Sequence, residues 1–153
     1  MSDELTHLDE QGRVRMVDVG AKEPVRRTAV AEGYLWASAN TLDLLEAGEL
    51  PKGEALATAR IAGIQAAKRC WELIPLCHTL LLEVASIDFQ RVDPERLRIE
   101  ATVSTTAKTG VEMEALVGVA VAALTLYDMT KAVDKALRIE GIRLVSKRKQ
   151  AVS

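Results

Sequence analysis

The segment of residues 109–135, TGVEMEALVGVAVAALTLYDMTKAVDK, carries its charges near its two ends. Two glutamates lie near its start, Asp128 and Lys131 lie near its end, and residues 115–127 contain no charged side chain. Apolar residues in this stretch occur on every side of a 3.6-residue period, whereas a surface helix has them on one side only. The pattern therefore predicts a helix that is covered on several sides by protein. The covering protein belongs either to this chain or to another copy of it.

The charged ends of this helix have a structural and a catalytic interpretation. Thr109 followed by Glu112 fits a capping box with Thr109 as the N-cap residue. Asp128 and Lys131 are three residues apart, so they share a helix face and can form an ion pair. Charge pairs on helices are usually structural, so the sequence alone leaves both interpretations open.

The length and charge of the chain limit the possible classes of protein. Its 153 residues favour a single domain over residues 1–153, with flexible residues at 1–12 and 148–153. The net charge is −2, whereas nucleic-acid-binding proteins usually have a basic excess, so no nucleic-acid partner is expected. The N-terminal residues lack the pattern of a signal peptide, and the charge-free stretch is too short to cross a bilayer. We therefore expect a cytoplasmic protein without membrane contact.

The predicted elements alternate between strands and helices. They are a strand over 24–36, a short helix from Ser38 or Asn40 to Gly48, a helix over 54–74, a hairpin of strands 80–92 and 97–104, the helix above, and a last strand from 137 into the basic run 146–149. Gly63, among alanines, predicts the close approach of another backbone. This order favours an α+β fold, a ferredoxin-like sandwich with helices packed on one face of an antiparallel sheet.

Several polar residues are candidates for chemistry. The candidate catalytic groups are Glu112, Glu114, Asp128, Lys131 and His78, and Arg26, Lys52, Lys68 and Lys147 are cations that suit a phosphate-bearing ligand. His78 is predicted at a helix-to-strand junction, where a catalytic and a structural histidine are equally plausible. The chain has two cysteines and two histidines without the usual ligand spacings, so no metal site is predicted.

Helix geometry limits how these groups can act together. The 14 steps from Glu114 to Asp128 span about 21 Å on a continuous helix, which is too far for both carboxylates to contact the same reacting atoms. If both ends of the helix are catalytic, separate subunits must supply them. We therefore expect an oligomer with its active site between protomers.

Five strings in the sequence carry a family resemblance. They are MVDV at 16–19, ATARIAGIQAAKR at 57–69, LIPLCH at 73–78, KTGVEMEAL at 108–116 and ALTLYDMTKAVDK at 123–135. Together they resemble the molybdenum cofactor biosynthesis protein C family, the cyclic pyranopterin monophosphate synthases. The resemblance runs in order from about residue 5 to residue 147.

The resemblance implies a fold, an assembly and a reaction. The expected assembly is a homohexamer, a trimer of dimers, of ferredoxin-like subunits with sites at dimer interfaces. The expected reaction converts the small-molecule substrate 3′,8-cyclo-7,8-dihydroguanosine 5′-triphosphate to cyclic pyranopterin monophosphate with release of pyrophosphate. No cofactor is required, although Mg²⁺ can accompany the triphosphate.

By position, the resemblance also assigns residues to roles. Asp128 and Lys131 match the catalytic pair, and the substrate-binding positions match Leu76, Cys77, His78, Glu112, Met113, Glu114, Arg26, Lys52 and Lys147. Proton transfers during ring opening and rebuilding suit a lysine of lowered pKa, so we expect Lys131 to be the general acid/base and Asp128 to position it. The tail after Lys147 is basic where the family has glycine and serine, so Lys147 is either a phosphate ligand or part of a solvated tail.

Two other classes of function fit a fold of this type. A ligand-sensing module would bind a small molecule between subunits without converting it. A purely structural assembly subunit would leave the charged helix ends without a purpose. Release of pyrophosphate from the cyclic triphosphate distinguishes an enzyme from both.

Overall fold

The chain forms one antiparallel sheet with helices on one of its faces. The computed structural model describes residues 6–152. In chain order its elements are β1 Val25–Trp36, α1 Ala39–Ala47, α2 Ala55–Lys68, α3 Cys70–Leu73, β2 Val84–Asp93, β3 Arg96–Ala107, α4 Glu112–Thr130 and β4 Arg138–Gln150. The strand order in the sheet is β2-β3-β1-β4, and every neighbouring pair is antiparallel. This arrangement confirms the predicted α+β, ferredoxin-like fold.

Strand β1 runs through the middle of the sheet and supplies its helix-facing surface. Because side chains alternate along a strand, Ala29, Ala31 and Leu35 share one face, and all three are buried in the core. Gly33 lies on the same face, where an added Cβ would come within 2.8 Å of Val119 Cγ1. These small residues let α4 pack closely on the strand.

Helix α4 is the central helix of the fold. It packs against α2 and against the sheet, and its buried residues are Glu114, Ala115, Val117, Gly118, Val119, Ala122, Ala123, Leu126, Met129 and Thr130. By length and composition alone it could cross a membrane, but 56% of its apolar 18-residue stretch is buried inside this fold. Leu124 remains 59% exposed. The helix is therefore covered on several sides by its own chain and open on one side.

Some helix ends differ from the prediction. Ser38 caps α1, with its side chain accepting a hydrogen bond from the Thr41 N–H, and Gly48 ends that helix at φ 70°. The capping box at Thr109 is wrong, because α4 begins at Glu112 and its N-cap residue is Val111. The Glu112 carboxylate lies 3.8 Å from Lys147 Nζ. The Glu112 carboxylate therefore forms an ion pair with a lysine of β4 instead of capping the backbone of its own helix.

Two other boundaries bear on the site. The predicted helix over 54–74 is divided at Arg69, where φ of −115° and ψ of 19° leave the helical region before α3 begins. Residues 148–150, which we expected to be flexible, continue β4 by pairing with residues 26–28 of β1. The same expectation for residues 1–5 and 153 falls outside the described part of the chain.

Candidate active site

A cavity of about 260 Å³ lies at the start of α4. The six residues of LCH and EME that were predicted to bind substrate all line it: Leu76, Cys77, His78, Glu112, Met113 and Glu114. Helix α4 supplies the last three, and the irregular segment between α3 and β2 supplies the others. The fold thus brings together two sequence segments that were predicted to act together.

Glu114 is the most enclosed ionisable group of this cavity. It is only 3% exposed, and the Cys77 thiol donates a hydrogen bond to its Oε1 over 3.6 Å. Its other oxygen, Oε2, has no hydrogen-bond partner among the described residues. Burial raises the pKa of the Glu114 carboxyl group, because a charged carboxylate is costly in a site shielded from water. The carboxyl group can therefore act as a proton donor at a higher pH than an exposed glutamate.

His78 is held in the cavity wall by the backbone of the N-terminal segment. Its Nε2–H donates a hydrogen bond of 2.6 Å to the Val17 carbonyl oxygen. Since a carbonyl oxygen can only accept, this contact requires a proton on Nε2, so in the neutral form of the ring Nδ1 would be the acceptor. The structure thus gives His78 a defined tautomer beside the cavity, as a positioned acid or base requires.

A second cavity of about 320 Å³ adjoins the first and shares Glu112 with it. Its lining includes a group of cations, namely Lys22, Arg27, Lys147, Arg148 and Lys149. Lys147 is therefore part of a cavity wall rather than of a free tail. The register of β4 explains this position, because Lys147 pairs with Ala29 and points to the same side of the sheet as the core.

Lys22 and Arg27 were not predicted as site residues. Arg27 donates a long hydrogen bond of 3.5 Å to the Lys108 carbonyl oxygen, and its Nε is buried without a partner among the described residues. The alternation of β1 is the signal that could have identified it, since Arg27 has the same parity as buried Ala29 and Ala31.

Arg26 lies on the opposite face of the sheet from Arg27. It pairs with Glu83, with 3.2 Å between its Nη1 and the Glu83 Oε2. Within one chain the structure does not bring Arg26 to either cavity. The single chain therefore does not place Arg26 beside Lys147, the other predicted phosphate ligand that lines a cavity.

At the far end of α4, Asp128 bridges two lysines. Its Oδ2 lies 2.8 Å from Lys52 Nζ and its Oδ1 lies 2.9 Å from Lys131 Nζ. Lys52 is held by the turn between α1 and α2, in which the Gly53 N–H donates to the Leu50 carbonyl and Gly53 adopts φ 94°. The predicted ion pair is thus present, and the structure adds a third member to it.

The charges of this triad control its protonation. The hydrogen bond from Lys52, followed by that from Lys131, lowers the pKa of Asp128 to about 2. In return, the hydrogen bond to Asp128 raises the pKa of Lys131. The expectation of a lysine with a lowered pKa is therefore wrong for Lys131 in the single chain, because the carboxylate of Asp128 stabilises its charged form. At neutral pH Lys131 is an ammonium group, and so a proton donor.

Comparison with known proteins places the chain in a family. The sequence profile of the MoaC family matches residues 16–150, a range that contains every predicted site residue. The chain belongs to the MoaC family. The resemblance described from the five strings is thereby confirmed.

Relatives of known name cover nearly the whole chain. A protein of Roseiflexus sp. (strain RS-1) is 60% identical over 96% of this chain and 93% of its own length. Proteins of Chloroflexus aggregans and Desulfitobacterium hafniense are 57% and 51% identical, over 95% and 94% of this chain and 89% and 88% of their own lengths. Each of the three is named cyclic pyranopterin monophosphate synthase, which is the name of an enzyme.

In this MoaC-family chain the two groups of site residues lie at opposite ends of one uninterrupted helix. The cavity with Glu114 is at the start of α4, and the triad around Asp128 is at its end. At roughly 1.5 Å per residue the two carboxylates are about 21 Å apart along the helix. Within one chain the two groups therefore cannot contact the same reacting atoms.

Proposed function

We propose that this chain is a cyclic pyranopterin monophosphate synthase of molybdenum cofactor biosynthesis. It would convert 3′,8-cyclo-7,8-dihydroguanosine 5′-triphosphate to cyclic pyranopterin monophosphate and release pyrophosphate. The names of its relatives support the reaction. The observation that carries the assignment of residues is the grouping of all six LCH and EME residues around one cavity.

The cavity at the start of α4 is proposed to hold the guanine-derived ring. Its polar groups are of the kind that such a ring needs, because the N–H groups of the ring donate hydrogen bonds, whereas its unprotonated nitrogens and carbonyl oxygens accept them. Glu114, with its raised pKa, can offer a proton, and His78 can offer a ring acceptor at Nδ1. Glu112 would complete the set from the edge shared with the second cavity.

The phosphates are proposed to bind to the cations. Lys147 and Lys52 would bind phosphate oxygens as point charges, and Arg26 would bind them as a forked hydrogen-bond donor. We propose that two chains together supply these three cations to one site. These contacts would favour attack of a sugar hydroxyl oxygen on the α-phosphorus. A new P–O bond then forms as the hydroxyl proton passes to a general base, which Lys131 can be once it has donated its own proton. The bond from the α-phosphorus to the bridging oxygen breaks, and pyrophosphate leaves with that oxygen. Charge on the leaving group is stabilised by the same cations.

Lys131 is proposed to be the catalytic acid and Asp128 to position it. Its ammonium group is held 2.9 Å from Asp128 Oδ1, so its direction is set by the carboxylate. Because the ion pair keeps Lys131 protonated, it would donate a proton first and act as a base only after that transfer. This order refines the general acid/base role that the sequence suggested.

The active site is proposed to lie between subunits of a homohexamer, a trimer of dimers in the cytoplasm. Two exposed apolar surfaces of the single chain support an assembly. One is the open side of α4 with Leu124 and Tyr127, and the other is edge strand β4 with Ile142, Leu144 and Val145. An unpaired strand edge of this length is usually covered in a native assembly.

Incubation with the cyclic dihydroguanosine triphosphate tests the proposal. Wild-type protein should release one pyrophosphate for each pterin formed, and Lys131→Ala should lower turnover by at least about 100-fold, as expected for loss of a general acid. Lys135→Ala is the control, since Lys135 is exposed and its ammonium group donates to the Lys131 carbonyl oxygen rather than to Asp128. Binding of the triphosphate without release of pyrophosphate would instead indicate a ligand-sensing module. Parallel reactions with EDTA and with Mg²⁺ would show whether the metal is needed on the triphosphate.

A further inference from the structure

Two thiols and one carboxylate form a cluster of possible metal ligands at the wall of the cavity at the start of α4. Cys70, Cys77 and Glu114 come from α3, from the loop after it and from α4, and their sulfur and oxygen atoms all lie within 4.8 Å of one another. Both cysteines are free thiols. Sequence spacing did not predict this cluster, because the break in the helix at Arg69 and the packing of α4 bring its members together.

Two distances within the cluster match those between ligands of a tetrahedral zinc ion. With Zn–S of about 2.3 Å and Zn–O of about 2.1 Å, tetrahedral angles place two sulfurs about 3.8 Å apart and a sulfur and an oxygen about 3.6 Å apart. The observed distances are 3.7 Å between the two Sγ atoms and 3.6 Å from Cys77 Sγ to Glu114 Oε1. These two pairs would therefore need little movement to hold the ion. The third pair, Cys70 Sγ and the Glu114 oxygen, lies within 4.8 Å.

A separate observation indicates that the cluster lacks a partner. Glu114 is 3% exposed, yet its Oε2 has no hydrogen-bond partner among the described residues. A buried carboxylate oxygen without a partner is costly, and a metal ion is one kind of group that removes this cost. Cys77 and Glu114 also line the 260 Å³ cavity, which offers an entry path and an open fourth position.

We propose that Cys70, Cys77 and Glu114 form a binding site for one thiophilic divalent cation of the Zn²⁺ class per chain. Both sulfurs would bind as thiolates, so two protons would leave the thiols when the ion enters. Two thiolates and a carboxylate favour such a metal over Mg²⁺ or Ca²⁺, which prefer oxygen ligands. A water molecule would occupy the fourth position.

Metal titration of the reduced chain without substrate tests the site. The two thiols per chain are counted before and after the experiment, so that oxidation is detected. Zn²⁺ alone should bind with a stoichiometry of one by calorimetry, and Co²⁺ should give intense visible bands of a tetrahedral site with thiolate charge transfer. Absence of saturable binding to the reduced wild-type chain would overturn the proposal.

Substitutions at the ligands make the test specific. Cys70→Ser and Glu114→Gln should each weaken Zn²⁺ binding by more than about tenfold, since even outer-shell changes cost roughly 10–100-fold. Glu72→Gln on α3 removes an exposed carboxylate nearby and should leave binding unchanged. Circular dichroism checks that each variant is folded. Binding by folded Cys70→Ser and Glu114→Gln variants as tight as that of wild type would also overturn the site.

A consequence for turnover rests on the proposed function. Because Zn²⁺ would occupy Cys77 and Glu114, it should compete with the triphosphate, and Cys70→Ser should be less inhibited relative to its own metal-free rate. The two proposals fail separately. A chain that binds zinc but releases no pyrophosphate contradicts only the proposed function, whereas a chain that releases pyrophosphate but binds no zinc contradicts only this site.

Discussion

Gly63 on α2 lies against the backbone of Gly118 on α4, so close that a Cβ on Gly63 would be 2.8 Å from the Gly118 carbonyl oxygen. The same Cβ would be 2.9 Å from Ile87 Cγ1 on β2. The two helices thus contact each other and the sheet at one point where no side chain fits. Gly63 was predicted to allow such an approach, and that prediction is confirmed.

We expect Gly63→Ala to destabilise the protein by about 1–3 kcal/mol, because the added methyl group forces the helices or Ile87 to move. Gly118→Ala is the matched control. Its Cβ would lie 3.4 Å from its nearest neighbours, which is ordinary contact, and alanine favours a helix by about 0.8–1.0 kcal/mol over glycine. Urea unfolding of both variants measures the difference. Equal free energies of unfolding for the two variants would contradict the close contact at Gly63.

Much of the fold was predictable because local patterns and tertiary packing agree. The charge-free stretch of α4, the alternation of β3 and the end of α1 at Gly48 each indicate the same architecture. The start of α4 was misplaced because Thr109 and Glu112 fit a capping box locally. The contact of Glu112 with Lys147 depends on β4, which is distant in sequence.

The sequence indicated that the LCH and EME segments act together, and both line one cavity, but it did not indicate the positions of the arginines or of Cys70. Arg26 and Arg27 are adjacent, and the packing of β1 on α4 decides which of them faces the cavities. The contact between Cys70 and Cys77 likewise requires the break at Arg69, for which no glycine or proline gives a signal. Register and helix breaks of this kind are set by tertiary packing.

Asp128 should remain ionised in acid far below the range of an ordinary aspartate. Its pKa is lowered from 3.8 to about 2, so the attraction of the triad is complete above pH 3.8 and is lost as the pH falls toward 2. Lys52→Ala and Lys131→Ala should each raise the pKa of Asp128, and Lys135→Ala should not. A carboxyl-carbon NMR titration measures these values. An unchanged Asp128 pKa in both lysine variants would exclude the triad.

Glu32 should contribute more to stability than a neighbouring surface carboxylate. It is 4% exposed and lies 3.1 Å from Arg143 and 3.4 Å from Arg98. Burial opposes its ionisation, but the hydrogen bond and charge of Arg143, together with Arg98, outweigh burial and lower its pKa.

Glu32→Ala should therefore cost about 1–3 kcal/mol, because it removes the shared partner of two arginines. Glu100→Ala is the control. That carboxylate also pairs with Arg98, at 2.6 Å, but is more exposed, so we expect a loss of at most about 1 kcal/mol. Thermal and urea unfolding of both variants provide the comparison. A larger loss for Glu100→Ala would show that burial of Glu32 does not determine the effect.

The proposed sharing of active sites makes a prediction about mixed oligomers. Glu114→Ala and Asp128→Ala subunits should each be inactive alone, because each lacks one end of every site. When they are mixed in equal amounts and exchanged, a site that takes Glu114 from one subunit and Asp128 from another is intact. For random pairing about one quarter of the sites should recover, so turnover should approach about 25% of wild type.

A control separates sharing from a general effect of mixing. Glu114→Ala subunits mixed with the double variant Glu114→Ala/Asp128→Ala contain no Glu114, so they should recover nothing. Differently tagged subunits and native mass spectrometry verify that the oligomers are mixed. If verified mixtures of the two single variants stay inactive, the ends of α4 do not meet across an interface. Recovery near one quarter would instead explain why a single chain separates its carboxylates by the length of a helix.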